Sequence, residues 1–177
     1  NPFNTGGSEY IELINNSDKI IDLKGWHFSS YDAEEDTLEN FDLISEEPLQ
    51  WLPGKFLTFM TDSNDVLSVY PVRDENTFIQ LSGLPSWPNG EGSAVLLDSN
   101  GLVIDRLDYT EDWHFPLLND VDGVSLERID LEAPTNTSKN WHSASETVGF
   151  GTPGLPNSQR RESLESTEHL SVDPGIF

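Results

Sequence analysis

Apolar residues come in short runs separated by Gly, Pro, Asn and Asp, a pattern that is typical of an all-β domain. The first run covers residues 9–14, and an Asn15-Asn16-Ser17-Asp18 turn ends it. Residues 19–23 and 25–28 continue as extended chain, with two aromatic rings at alternate positions on one face. We expect these first strands to pair with one another.

A central strand and a hairpin are predicted further along the chain. Residues 56–60 carry apolar side chains at both odd and even positions, which indicates a strand covered on both faces. Residues 94–98 and 102–109 flank Asn100-Gly101, a pair that tolerates the positive φ angles of a tight turn. Residues 124–129 add another alternating strand. In all, about seven or eight short strands favour a β-sandwich or a barrel.

Two segments depart from this pattern. Residues 32–47 carry eight Asp or Glu and no Lys or Arg, which predicts a solvated loop. Residues 64–70 begin with an Asx-type cap and hold Val66, Leu67 and Tyr70, so they predict one short helix.

The composition narrows the class of protein. The 32 Asp and Glu outnumber the 9 Lys and Arg, and the formal net charge is −23. Clustered basic residues are needed to neutralise phosphates, so nucleic acid and anionic membranes are excluded as expected partners. Cysteine is absent, which excludes disulfides, thiolate nucleophiles and Cys-based zinc sites. No apolar run approaches the roughly 18 residues of a membrane span, and we expect no direct membrane insertion.

Several segments resemble, in order, the lamin tail domain family, whose fold is an immunoglobulin-like β-sandwich. They are Glu9-Tyr10-Ile11-Glu12-Leu13, Asp22-Leu23-Lys24-Gly25-Trp26, Leu52-Pro53-Gly54, Val95-Leu96-Leu97-Asp98 and Val103-Ile104-Asp105. The resemblance covers residues 7–158, so we expect an all-β, immunoglobulin-like sandwich with one short helix and long loops.

The C-terminal half resembles the bacterial branch of this family, found in secreted multidomain proteins of Bacteroidetes type. The segments that carry this resemblance are His114-Phe115-Pro116-Leu117-Leu118, Gly123-Val124-Ser125-Leu126-Glu127-Arg128, Asn140-Trp141-His142-Ser143-Ala144 and Thr152-Pro153-Gly154. The resemblance implies a secreted or cell-surface, non-catalytic interaction or architectural module, whose partners are other protein domains or cell-surface proteins.

Comparison with the family also divides the chain. Residues 1–158 form the expected domain, whose usual first strand would lie upstream of Asn1. Residues 159–169 are polar and predict a linker. Residues 170–177 resemble the entry to a further domain of the kind that ends in a sorting region for type IX export.

Enzyme sites are not predicted. The four histidines have no local metal-ligand spacing, and His114 and His142 adjoin Trp113 and Trp141, which favours structural roles. No Gly-x-Ser-x-Gly motif presents a serine nucleophile. Paired carboxylates carry little information in so acidic a chain, because chance proximity is expected.

Calcium is the one ion for which the sequence offers candidate ligands. Asn119, Asp120 and Asp122 place oxygen-bearing side chains before the turn-forming Gly123. The same residues are good turn formers, and the motif lacks the other ligands of an EF-hand loop. The turn interpretation is favoured, and calcium binding stays open.

Exposed tryptophans are the candidates for ligand contact. Trp51, Trp87 and Trp113 lie in or next to predicted loops, where a ring can stack on a glycan, whereas Trp26 and Trp141 are expected in the core. Trp87 and Trp113, together with the calcium candidates, therefore form the alternative hypothesis of a calcium-assisted carbohydrate-binding or surface-adhesion module.

Overall fold

The computed structural model describes residues 9–161, and no helix among these residues has the length and apolar character needed to cross a membrane. The elements are β1 Tyr10–Ile14, β2 Ile21–Asp22, β3 His27–Asp32, β4 Thr37–Leu43, β5 Gln50–Trp51, β6 Phe56–Met60, α1 Ser63–Val69, β7 Phe78–Gln80, β8 Glu91–Leu97, β9 Val103–Thr110, β10 Leu126–Arg128 and β11 Trp141–Ser143. Short 3₁₀ turns cover Glu75–Thr77, Glu111–Trp113, Ser138–Asn140 and Glu146–Val148.

Two sheets enclose the main core. One sheet has the order β1-β6-β7 and the other the order β4-β3-β8-β9. The ring of Phe28 on β3 meets the ring of Phe59 on β6 edge to face, with centroids 5.2 Å apart, and both side chains are fully buried. Leu23, Trp51 and Leu96 belong to the same core cluster. The predicted all-β, immunoglobulin-like sandwich with one short helix is confirmed.

The strongest local predictions are confirmed. β6 is the middle strand of its sheet, as its apolar character on both faces requires. β8 and β9 form an antiparallel hairpin, in which Gly101 takes a positive φ of 80°. The helix α1 begins after Asp62, whose side chain accepts a hydrogen bond from the backbone N–H of Asn64.

The predicted pairing among the first strands is wrong. β1 pairs with β6, β2 pairs with β5, and β3 pairs with β4 and β8. The chain crosses from one sheet to the other between β1 and β3, so that apolar residues from both strands reach the same core from opposite sides. Local alternation identifies strands but does not determine which strands are neighbours.

The predicted loop at residues 32–47 is wrong for about half of the stretch, because residues 37–43 form the strand β4. β4 pairs with β3, and the turn before it covers residues 33–36. β4 is the outer strand of its sheet, so its backbone pairs on one side while Glu39 and other side chains stay exposed. Charged side chains on an edge strand do not disturb its backbone hydrogen bonds to the neighbouring strand, and they discourage pairing with further strands.

Residues 112–161, here called the C-terminal segment, cover the outer face of the β1-β6-β7 sheet. The Ser125 hydroxyl lies 2.6 Å from the Tyr10 hydroxyl, and the carbonyl of Pro153 accepts from the backbone N–H of Asp74 at 2.9 Å. At the other sheet, the Asn136 amide donates to Asp108 at 2.7 Å. The predicted upstream strand and the predicted further domain lie outside the described residues, as does the predicted linker beyond residue 161.

Candidate functional site

The first candidate surface is the open edge of β1, which pairs only with β6 among the described strands. Just after β1, the backbone N–H of Asn15 donates to the carbonyl of Lys55 at 3.1 Å. Antiparallel strands alternate between residues whose peptide groups face the partner and residues whose peptide groups face away. The peptide groups of Tyr10, Glu12 and Ile14 therefore point toward the open edge.

A cavity of about 780 Å³ adjoins this edge, and we call it the β1 slot. Its walls include β1, the edge strand β9 of the opposite sheet, and residues 121–128 of the C-terminal segment. Much of its lining is apolar and includes Ile11, Leu13, Phe28, Trp87, Leu107 and Leu126. Within residues 9–161, the slot thus combines strand backbone that has no partner strand with an apolar interior.

Two buried carboxyl groups also line the β1 slot. Glu12 accepts hydrogen bonds from the backbone N–H of Gly154 and, at 3.1 Å, from the Thr58 hydroxyl. Burial raises the pKa of Glu12 to about 8 against its ordinary 4.5, and the nearby Glu127 adds to the rise. Glu127 is only 4% exposed and accepts hydrogen bonds from Thr152 and two further donors. Glu12 is therefore largely protonated at neutral pH.

The second candidate surface is an open cleft of about 480 Å³, which we call the aromatic cleft. The 3₁₀ turn Glu111–Trp113 brings Trp113 to it, and the following extended chain brings His114 and Phe115. Lys139 comes from another 3₁₀ turn and His142 from β11. Four ring-bearing side chains thus share the cleft with an ammonium group.

Ser143 orients the two imidazoles of the aromatic cleft. Its hydroxyl accepts from the backbone N–H of Phe115 at 2.9 Å and lies 2.9 Å from Nδ1 of His114. This bond holds the His114 ring in place with either nitrogen protonated, because a hydroxyl can both donate and accept. His142 donates from Nδ1 to the Ser143 carbonyl at 2.9 Å, which leaves its Nε2 as an acceptor. Burial lowers the pKa of His114, and the charge of His142 lowers it further.

The tryptophan candidates fall into different places. Trp113 lines the aromatic cleft, whereas Trp87 lines the β1 slot, where its ring meets Phe28 and its indole N–H donates to Ser29. The expectation for Trp51 was wrong, because it is 5% exposed in β5 and belongs to the core. Trp26 is half-buried and packs against that core. Trp141, also expected in the core, is half-buried on β11, where it lines the β1 slot and donates its indole N–H to the Thr135 carbonyl.

The calcium candidates form a turn at the surface. The Asp120 carboxylate accepts a hydrogen bond from the backbone N–H of Asp122 at 3.0 Å, which is the geometry of an Asx turn. Asp122 also lines the β1 slot, whereas Asn119 and Asp120 do not. Within residues 9–161, no group of three or more His, Asp or Glu side chains is placed to hold a metal ion. Calcium binding by this turn stays a prediction.

Reasoning from the sequence missed the buried pair Glu12 and Glu127. Glu12 lies between Ile11 and Leu13 in a predicted strand, and Glu127 lies between Leu126 and Arg128 in another. A carboxylate at such a position signals partial burial, but the strand pattern alone gives no partner for it. All the hydrogen-bond donors to Glu127, and the backbone donor to Glu12, come from residues 152–159, far away in the sequence.

A search of curated proteins finds no match to the chain. A scan against protein-family models matches the lamin tail domain over residues 1–111, more than half of the chain. This match covers both main sheets but ends before the C-terminal segment. The family is immunoglobulin-like and non-enzymatic, and its domains act as protein-interaction and architectural modules. With its two-sheet sandwich and a family match across both sheets, the chain belongs to the lamin tail domain family.

Proposed function

We propose that this domain is an interaction and architectural module of a larger exported bacterial protein, and that it binds an extended polypeptide strand along β1. The β1 slot carries the proposal, because it sets an edge that no other described strand pairs with beside an apolar cavity. In strand addition, the backbone ladder supplies affinity and pockets for alternate side chains supply specificity.

Charge indicates the kind of strand that fits. The net charge of the chain is −23, and exposed carboxylates such as Glu9, Asp105 and Glu111 lie along the slot. A partner with apolar residues at alternate positions and basic residues at its ends complements both the interior and the rim. An acidic partner would be repelled.

A synthetic peptide tests this proposal. The probe alternates valine and threonine and has a lysine at each end, and binding is followed by the amide NMR shifts of the intact chain. We expect shifts at Tyr10, Glu12 and Ile14. A peptide N-methylated on alternate residues is the control, because it cannot donate to the ladder. Equal binding of the two peptides, or no shift along β1, would contradict strand addition.

Two variants at one position sharpen the test. The backbone N–H of Ile14 points away from β6. Ile14→Pro removes this N–H, so the hydrogen bond to the probe is lost while the β1–β6 pairing is kept. Ile14→Val keeps that N–H and is the matched control. Peptide binding should be lost in the first variant and kept in the second.

The exported, bacterial setting is supported by the resemblance of the segments at residues 114–118, 123–128 and 140–144 to secreted Bacteroidetes proteins. The match at residues 170–177 favours type IX export. An antibody against this domain should detect the parent protein in secreted or cell-surface fractions. Detection only in the cytoplasm would contradict this part of the proposal.

The alternative is a calcium-assisted carbohydrate-binding or surface-adhesion module. The aromatic cleft favours its carbohydrate component, because it gathers Trp113, Phe115 and two imidazoles at the surface. The turn at residues 119–122 adds no set of ligands that would favour the calcium component. The peptide experiment separates the two functions, since strand addition takes place at β1 and carbohydrate binding at the cleft.

A further inference from the structure

We propose that the aromatic cleft is a metal-independent binding site for a neutral saccharide, separate from the β1 slot. The cleft presents rings, hydrogen-bond donors and acceptors, and charges of both signs within one open space of about 480 Å³. This volume lies within the roughly 300–1,000 Å³ range of small-molecule sites.

The indole N–H of Trp113 is available to a ligand. The indole groups of Trp51, Trp87 and Trp141 each donate to a backbone carbonyl. Trp113 makes no such bond to any residue in the described range, and no buried side-chain nitrogen or oxygen there lacks a partner. Its N–H is therefore accessible at the surface, and since Trp113 lines the cleft, a hydroxyl bound there can accept from it.

The rings suit the apolar face of a sugar. Phe115 is 41% exposed, and its ring lies 5.6 Å from that of His142, tilted by 34°. A pyranose presents C–H groups on its face and hydroxyls around its rim. The electron-rich face of an aromatic ring attracts polarised C–H groups, so ring faces and polar atoms in one cleft match the two parts of a sugar.

The polar groups of the cleft supply both kinds of hydrogen-bonding partner. Nε2 of a neutral His142 is an acceptor, because its Nδ1 donates to the Ser143 carbonyl, and the Lys139 ammonium group is a donor. Lys139 makes no ion pair in the described part of the chain. Sugar hydroxyls both donate and accept, so this mixture fits them better than it fits a purely apolar ligand.

Charge favours a neutral saccharide over an acidic one. Lys139 is balanced within the cleft by Asp112, which also lines it. The net charge of −23 repels polyanions beyond the cleft. A uronate-rich or sulfated polysaccharide therefore gains little from one lysine and is disfavoured by the rest of the surface.

Calorimetric titration of the chain with neutral hexasaccharides of glucose, mannose, xylose and N-acetylglucosamine tests the proposal. We expect at least one to bind with a Kd between about 10 μM and 1 mM. Trp113→Ala should weaken that binding by about tenfold or more, and Trp113→Phe should weaken it less because a ring remains. Leu117→Ala is the matched control, since Leu117 is 79% exposed nearby and does not line the cleft.

The same titrations distinguish the competing outcomes. An affinity that is equal in calcium and in chelator supports the metal-independent site, whereas loss of binding in chelator overturns it. The proposal is also overturned if no hexasaccharide binds, if binding survives Trp113→Ala, or if a proline-rich peptide binds the cleft and the saccharides do not. Ile14→Pro should leave saccharide binding unchanged, so failure of one site does not imply failure of the other.

Discussion

Glu12 on β1 accepts a hydrogen bond from the backbone N–H of Gly154, 142 residues further along the chain. The family match ends at residue 111, so this bond joins the matched part to the C-terminal segment. Tyr10 makes a second such connection through Ser125. The C-terminal segment is therefore part of the folded unit, although the family match does not extend to it.

Truncation after residue 111 should destabilise the domain. It removes Ser125 from Tyr10 and the Gly154 N–H from Glu12, and it uncovers the outer face of the β1-β6-β7 sheet. It also uncovers Tyr70 at the end of α1, which is 4% exposed in the intact chain and donates to the Gly123 carbonyl. Buried polar groups that lose their partners cost about 1–3 kcal/mol each. We expect a lower melting temperature and increased binding of a hydrophobic dye. A truncated chain with the melting temperature of the intact one would show that the C-terminal segment is dispensable.

Glu12 should make stability fall as pH rises. Its folded pKa is about 8 and its ordinary value is 4.5, so the folded state binds the proton more tightly than the unfolded state. Its contribution is complete below pH 4.5 and is lost as pH rises through about 8. Glu12→Gln keeps an acceptor for Gly154 and has no proton to lose. Relative to this variant, we expect the wild type to lose on the order of 3 kcal/mol across that window.

Urea unfolding of both proteins between pH 5 and pH 8 measures this difference. His114 contributes the opposite slope, because burial lowers its pKa, but it is present in both proteins and cancels in the comparison. Glu47→Gln, at an exposed position, removes the same charge and serves as the control. Parallel pH profiles for the wild type and Glu12→Gln would mean that Glu12 is ionised in the fold.

Asn15 should be much more important for stability than its neighbour Asn16. Asn15 is 2% exposed, and its amide donates to the carbonyls of Lys19 and Trp51 at 2.8 and 2.9 Å. Asn15→Ala leaves both carbonyls without this donor, and we expect a loss of about 2 kcal/mol. Asn16→Ala removes only exposed hydrogen bonds and should change stability little. The midpoints of denaturant unfolding measure both losses, and equal midpoints for Asn15→Ala and Asn16→Ala would contradict this prediction.

Calcium should have little effect on stability. A ligand that binds only the native state raises the melting temperature, and in this turn the Asp120 carboxylate already accepts from the backbone N–H of Asp122. We expect equal melting temperatures in millimolar calcium and in chelator. A rise with calcium that disappears in Asp122→Asn would instead identify this turn as a cation site.

Part of the candidate surfaces could be predicted from the residues. Trp113 was a ligand-contact candidate because it lies in a loop region, and the structure places it in the aromatic cleft. Lys139 and His142 were not grouped with it, because they come from elements about 25 to 30 residues later that only folding brings alongside. The β1 slot could not be found by periodicity either, since an open edge is defined by which strands do not pair with it.

The sequence by itself determined the local structure and the class of protein. Strands could be predicted from alternating apolar residues, the hairpin from the Asn-Gly pair at residues 100–101, and the short helix from its Asp62 cap. All three signals depend only on residues close together in the sequence. Tertiary structure alone decided which strands pair, that residues 37–43 of the acidic stretch form the edge strand β4, and that Glu12 is buried near Glu127. Those outcomes depend on contacts between distant residues, and a local pattern contains no information about which distant residue will supply the partner.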